Sequence, residues 1–174
     1  MIDYKLYIKE VKNFPKEGVV FQDLSTLIEN GKIFQSAIQE MAEQYKDRTI
    51  YPKIDKVVGI ESRGFLLAAP IAIAMNSGLI MARKKGKLPG DVIEESYSLE
   101  YGESILEMQK NSIKNGENIL IVDDLLATGG TVSAAIKLIE KLNGNIVGVC
   151  FLIELENLKG REKINYPIYS LTKY

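Results

Sequence analysis

Histidine is absent from the 174 residues, and the only cysteine is Cys150. Without histidine there is no Ser/His/Asp or Cys/His relay and no His-ligated zinc, and one thiol builds neither a metal cage nor a disulfide framework. Cys150 lies in the apolar run NIVGVCFLI and reads as a small buried hydrophobe rather than a nucleophile. An excess of charge is also missing: 22 basic and 23 acidic residues leave a formal net charge of −1. Such a chain has no global field for DNA, RNA or an anionic membrane, so neither nucleic acid nor membrane is expected as a partner. Any anion has to be held locally. Long hydrophobic runs are lacking too. The longest, FLLAAPIAIAM, extends from Phe65 to Met75, whereas a bilayer span needs ~20 residues. The opening MIDYKLYIKEVKNF carries acidic residues and no continuous apolar stretch, so no secretory signal is expected and the predicted location is cytoplasmic. Any catalysis rests on carboxylates, Lys, Arg, Tyr or a bound cation.

With 46% apolar and 26% charged residues, the composition is that of a soluble globular chain, and its length predicts one domain over 1–174. In GKIFQSAIQEMAEQYK, apolar Ile33, Ala37, Ile38, Met41, Ala42 and Tyr45 recur at helical spacing, which predicts an amphipathic helix. DKVVGI, GLIMAR, ENILIVDD and NIVGVCFLIE read as short buried strands. GFLLAAPIAIAMN is apolar nearly all round, and Pro70 is expected to start or kink a helix there. Strands separated by crossover-length helical segments predict an α/β fold, a parallel sheet covered on both faces. Residues 83–102, RKKGKLPGDVIEESYSLEYG, lack a helical stripe and are rich in turn residues. A lid is the expectation there.

The stretch NILIVDDLLATGGTVSAAIKLIEKLNG needs more than packing to explain it. Successive strand side chains point to opposite faces, so of Asp123 and Asp124 one would face an apolar layer. Val132, Ala135, Ile136, Ile139 and Leu142 then mark a helix that ends at Gly144. Ala127, Thr128, Gly129, Gly130 and Thr131 therefore join a strand to a helix N-terminus, where free N–H groups and the helix dipole favour an anion. Glycines let the backbone close around it, and threonine hydroxyls add donors. The aspartates at the strand's carboxyl end lie where open α/β sheets bind ligands. Paired acceptors suit a ribose with two hydroxyls or a hydrated Mg²⁺. The plainer alternative is that Asp124 caps a turn and Thr128 or Thr131 caps the helix. One cap, however, does not need this many polar groups. The Walker pattern GxxxxGK[ST] is absent, which disfavours an ATPase.

ILIVDDLLATGGT resembles the phosphoribosyl-diphosphate motif of the type I phosphoribosyltransferases, in the form that acts on adenine. The similarity continues through FPKEGVVFQDLS, GIESRGF, RKKGKLPG, SYSLEYG and LKGREK, in order over nearly the whole chain. It implies the family's fold: a central, mainly parallel sheet flanked by helices, an N-terminal hood over about residues 1–30 and a flexible lid over about 83–102. It also implies transfer of the phosphoribosyl group to adenine, giving AMP and pyrophosphate in purine salvage. By the resemblance, Ala127 to Thr131 hold the 5′-phosphate, and Asp123 and Asp124 sit by the ribose hydroxyls. Ser62, Arg63 and Gly64 form a second strand-to-helix anion site for pyrophosphate, unless Arg63 is a surface residue paired with Glu61. Arg83, Lys84, Lys85 and Lys87 would supply a mobile basic clamp, with Arg83 lent across a homodimer. Mg²⁺ would be held mainly by substrate oxygens and water, with no direct protein ligand.

Relatives acting on 6-oxopurines carry an extra aspartate where this chain has Ala127, so the resemblance favours adenine. Glu100 on the lid, beside Tyr101, would exchange a proton with purine N7; the alternative is an ordinary exposed glutamate. Val20, Phe21 and Gln22 would meet the base, the first and last through backbone groups, with Phe21 on one face and Leu125 on the other. Many relatives have arginine at the Gln22 position, which puts side-chain packing around the base in doubt. VVF could instead be an edge strand closing the core. Two other functions remain: a non-catalytic sensor of phosphoribosyl diphosphate or nucleotide, and a 6-oxopurine enzyme.

Overall fold

The computed structural model describes residues 2–47, 49–99 and 102–174. An antiparallel hairpin comes first, β1 (Lys9–Lys12) and β2 (Val20–Asp23), followed by helices α1 (Ser25–Glu29) and α2 (Gly31–Glu43). Then come β3 (Lys56–Ile60), α3 (Gly64–Met75), β4 (Gly78–Lys84), β5 (Val92–Leu99), β6 (Gly102–Gln109), β7 (Asn118–Leu126), α4 (Gly130–Lys141), β8 (Asn145–Glu154) and β9 (Ile168–Lys173). Among the described residues, seven strands form the main sheet in the order β5-β6-β4-β3-β7-β8-β9. The pairs from β4 through β9 across β3, β7 and β8 are parallel, and β6 joins both β4 and β5 antiparallel.

β7 shows why the strands read as continuous apolar runs. Leu120 and Val122 enter one core, with Leu67 and Ile71 of α3 and Met41 of α2. Ile119 and Ile121 enter the other, with Ile136, Leu138 and Ile139 of α4. A strand covered on both faces has no polar side to show. The chain leaves β3 through α3 towards β4 and leaves β7 through α4 towards β8. The strand order therefore reverses between β3 and β7, and a crevice opens at their carboxyl ends. Pairing of the two stops at Gly59 with Val122, one residue before Asp123.

The segment VVF contributes to the separate β1–β2 hairpin rather than to an edge of the main sheet. Of the two expectations for Pro70, starting or kinking a helix, the first is not met: the helix begins at Gly64 and Pro70 lies inside it. Within the segment expected to be a lid, Arg83 and Lys84 close β4, and Val92–Leu99 pairs in register with β6. The period-2 pattern holds where it is described, with Tyr97 buried and Ser96 exposed. No described helix is long and apolar enough to cross a membrane.

Candidate active site

β7 delivers Asp123 and Asp124 to the crevice, and the chain then turns into α4 through Ala127–Thr131. Gly129 makes the turn with φ of +79°, a conformation that side-chain-bearing residues rarely adopt. No side chain caps α4, so neither Thr128 nor Thr131 plays the capping role that the plainer reading requires. Its first N–H groups have no carbonyl within the helix to bond. They border a small depression of about 70 Å³ lined by Asp123, Leu125, Leu126 and residues 127–132. The arrangement offers an anion several backbone donors and the positive end of a helix dipole.

The acids beside it are raised above the usual carboxylate range. Burial is the main cause for Asp123, followed by the charge of Asp124. Burial also raises Asp124, against the opposing pull of Arg63. Asp123 Oδ1 accepts the Asp124 N–H at 2.9 Å. Asp124 Oδ2 lies 2.8 Å from Arg63 Nη2 but accepts no aligned hydrogen bond among the described residues. A buried acceptor of this kind has capacity for a hydroxyl or a cation. Opposite, α3 begins at Gly64, where a Cβ would meet Asp123 Oδ1 at 2.6 Å and Val122 O at 3.1 Å. Only glycine lets the helix come this close to the acidic pair.

The Glu61–Ser62 peptide that leads into α3 is cis. Glu61 gathers the basic cluster: its carboxylate accepts from Lys87 Nζ at 2.6 Å, Arg83 Nη2 at 3.2 Å, Arg83 Nε at 3.3 Å and the Lys84 N–H at 3.0 Å. Burial alone would raise this carboxyl, but the Lys87 and Arg83 hydrogen bonds outweigh it and bring it down to about 2. The alternative weighed for Arg63, a surface pair with Glu61, does not form among the described residues. Arg63 reaches Asp124 instead, and its guanidinium lies 4.8 Å from the centre of the Phe21 ring. Lys85 pairs with Glu94 at 2.8 Å, and Ser62 is exposed at the mouth of the loop.

The hairpin sets the remaining wall. Asp23 Oδ1 accepts the Ser25 N–H at 3.0 Å and its hydroxyl at 2.7 Å, fixing the exit of β2 into α1. Phe14 and Phe21 meet edge to face with centroids 5.2 Å apart. Phe21, Arg63, Asp23, Leu24, Ile28 and Leu66 are among the residues around a cavity of about 510 Å³. Val20 is exposed, while Gln22 is buried with its amide directed at Glu10 of β1, 3.5 Å away. Phe21 and Leu125 border different hollows, with Arg63 lying against Phe21. Glu100 and Tyr101 lie outside the described residues.

The structure places Asp123, Asp124, Arg63 and Gly64 beside the 127–131 turn, and Arg83 and Lys87 on Glu61, the residue before Ser62. Sequence reasoning missed the role of Glu61 as the anchor of the basic cluster, although GIESRGF contains it. Among the described residues no group of three or more Asp, Glu, His or Cys side chains converges on a metal position. The adjacent carboxylates of Asp123 and Asp124 supply hard oxygen donors suited to a hydrated divalent ion.

A family model for the phosphoribosyl transferase domain matches residues 25–174. The chain is 49% identical over 174 residues to the adenine phosphoribosyltransferase of Brachyspira hyodysenteriae, covering 99% of this chain and 100% of that one. Among solved structures, the adenine phosphoribosyltransferase of Thermoanaerobacter pseudethanolicus matches with a TM-score of 0.94 at 40% identity, covering 99% of this chain and 98% of that one. The Saccharomyces cerevisiae adenine phosphoribosyltransferase, complexed with D-2,5-dideoxy-2,5-imino-altritol 1,6-bisphosphate and adenine, matches at 0.93 and 41% identity, covering 97% of this chain and 96% of that one.

Proposed function

The chain belongs to the adenine phosphoribosyltransferases of the phosphoribosyltransferase family, and on that premise we propose that it transfers the 5-phosphoribosyl group of phosphoribosyl diphosphate to N9 of adenine. The observation that carries this reading is the Asp123–Asp124 pair beside an uncapped helix N-terminus, at the point where the strand order reverses. A sugar phosphate needs this combination: N–H donors for its phosphate and, beside them, acceptors for its hydroxyls.

In this reading Ala127, Thr128, Gly129, Gly130 and Thr131 hold the 5′-phosphate, and Asp123 and Asp124 accept from the ribose hydroxyls. N9 of adenine forms a bond to the anomeric carbon as its bond to the pyrophosphate oxygen breaks, and that electron pair leaves with pyrophosphate. Positive charge builds on the ring, and the two acids favour it. Ser62, Gly64 and Arg63 meet the leaving group, as do Arg83, Lys84 and Lys87. Arg63 must first leave Asp124, and Arg83 and Lys87 must exchange Glu61 for phosphate oxygens. Glu100, on a lid over 83–102 that includes Tyr101, takes the proton from N7 of the base. Val20 and Gln22 present backbone groups to adenine, and Phe21 and Leu125 close on its faces once Arg63 has moved. Magnesium, carried by substrate oxygens and water beside Asp123 and Asp124, would neutralise charge on the departing pyrophosphate.

The site would be completed in a homodimer in the cytoplasm, with Arg83 reaching the partner's leaving group. Incubation with phosphoribosyl diphosphate, Mg²⁺ and each purine in turn tests the reading. AMP from adenine and little product from hypoxanthine or guanine is expected. No turnover of adenine would sink it.

A further inference from the structure

The rear of the 127–131 turn is not exposed. It rests on Gly160, a buried glycine in the short helical segment Gly160–Lys163 that follows β8. A Cβ on Gly160 would lie 2.2 Å from Ala127 O, 2.9 Å from Leu126 Cδ1 and 3.0 Å from the Gly129 nitrogen. Reciprocally, a Cβ on Gly129 would lie 2.8 Å from Gly160 O. Two backbones are in contact here, beside the Leu126 side chain.

The next residue fastens this support to the sheet. Arg161 forms a two-pronged pair with Glu154, Nε to Oε1 at 2.8 Å and Nη2 to Oε2 at 2.5 Å, and donates to Ile168 O at 3.3 Å. Glu154 is buried at the end of β8, in register with Leu126 on one side and Lys173 on the other. The Leu155 N–H also bonds to Leu126 O at 2.9 Å, tying the start of the segment to the end of β7. The planar fork of a guanidinium on a carboxylate fixes direction as well as distance, which a lysine does not.

We propose that Gly160 and the Arg161–Glu154 pair are positioning residues for phosphoribosyl transfer, a back plate that holds the 127–131 amides in phosphate-binding geometry. This deepens the proposed function and rests on its assignment of the 5′-phosphate to that turn. None of the three residues touches substrate. They act through the loop, which cannot retreat from the phosphate while Gly160 stands behind it. Donor placement matters because an error of about 1 Å in a bound group can cost ~10²-fold.

The experiment compares Glu154→Gln and Gly160→Ala with the unaltered protein, in steady-state kinetics and in AMP binding by calorimetry. Glu154→Gln keeps side-chain shape and is expected to fold. For both variants KM for phosphoribosyl diphosphate should rise about 10- to 100-fold and AMP should bind correspondingly more weakly. KM for adenine at saturating phosphoribosyl diphosphate should stay within about twofold. A purely structural role would lower thermal stability without this split. Hydrogen exchange on the unaltered protein gives a second measure independent of variant folding: saturating AMP should slow amides at 127–131 and 158–162 together. Wild-type kinetics and AMP affinity in folded variants, equal shifts in both KM values, or unchanged exchange at 158–162 would each overturn the proposal. If the unaltered protein itself neither binds AMP nor makes it, the functional reading fails instead.

Discussion

Arg63 Nη2 sits 2.8 Å from Asp124 Oδ2, spanning the gap between the start of α3 and the end of β7. A cation assigned to the leaving group is thus stored on an acid assigned to the sugar, with its guanidinium against Phe21. This keeps a buried carboxylate from standing unpaired before substrate arrives. On the proposed roles, sugar, base and pyrophosphate would all act on one side chain: hydroxyls would take its place at Asp124, adenine would take its place at Phe21, and phosphate oxygens would receive it.

Replacing Arg63 by methionine should therefore affect both stability and binding. The unpaired Asp124 should cost about 1–3 kcal/mol of unfolding free energy at neutral pH. KM for phosphoribosyl diphosphate should rise at least about tenfold, the loss of one charge-assisted contact. Denaturant titration and steady-state kinetics measure the two effects. An unchanged KM would remove Arg63 from the leaving-group site.

Asp123→Asn should stabilise the protein while impairing it. Both acids are raised by burial, and Asp123 is raised further by its neighbour. A carboxyl whose folded value exceeds its unfolded value binds its proton more tightly when folded. Its contribution is favourable below the ordinary carboxylate range and is lost as pH rises through the raised value. The amide removes that loss, so the thermal midpoint should rise at pH 7 and the gain should shrink towards pH 4. Turnover should fall about 10²-fold or more with one ribose acceptor replaced. A midpoint that drops at pH 7 would make Asp123 a structural residue.

The Glu61 cluster has the opposite sign. Lys87 and Arg83 outweigh burial and hold this carboxyl at about 2, below its ordinary 4.5. The stability it adds is complete above the ordinary value and is lost as pH falls towards 2. Glu61→Gln should lower stability at pH 7, and the difference between variant and parent should close between pH 4.5 and 2. Unfolding curves across that range decide it; a difference independent of pH would mean that the cluster is packed rather than paired.

What could be read in the sequence follows from which interactions are local. The β7 run, the α4 stripe and the glycine turn between them lie within one stretch of chain, so Asp123, Asp124 and residues 127–131 were legible from spacing alone. Glu61 and Arg83 are far apart in sequence and meet because Glu61 follows β3 and Arg83 closes β4, neighbours in the sheet. No local pattern tells which carboxylate a lysine or arginine will choose, and so the Arg63–Asp124 pair was not legible, Glu61 being the one acid weighed as an alternative partner. Within 83–102 the turn residues Gly86, Pro89 and Gly90 lie in the connection from β4 to β5, two strands that both pair with β6 rather than with each other. Turn residues look the same whether they introduce a loop or a strand. Gly160 escaped because close contact between two backbones leaves no mark beyond the glycine itself.

The last prediction concerns the outer face of α3. Leu66 and Ile73, two turns apart on that helix, are 49% and 82% exposed, and Leu79 and Met81 of β4 are 46% and 43% exposed. In the register Leu79 lies beside Val57 and Met81 beside Gly59, and Gly59 closes onto Ala68 of α3. All four side chains therefore share the α3 side of the sheet and form an apolar patch that ends two residues before Arg83. A second copy of the chain docking here would cover the patch and bring Arg83 close to its partner, as the proposed homodimer requires. Ile73→Asp places a charge in the centre of that surface without touching the crevice. Sedimentation should show the unaltered protein as a dimer and the variant as a monomer. Turnover should fall with dissociation and recover as protein concentration is raised. A monomeric variant with full activity at every concentration would show that each chain carries its own complete site.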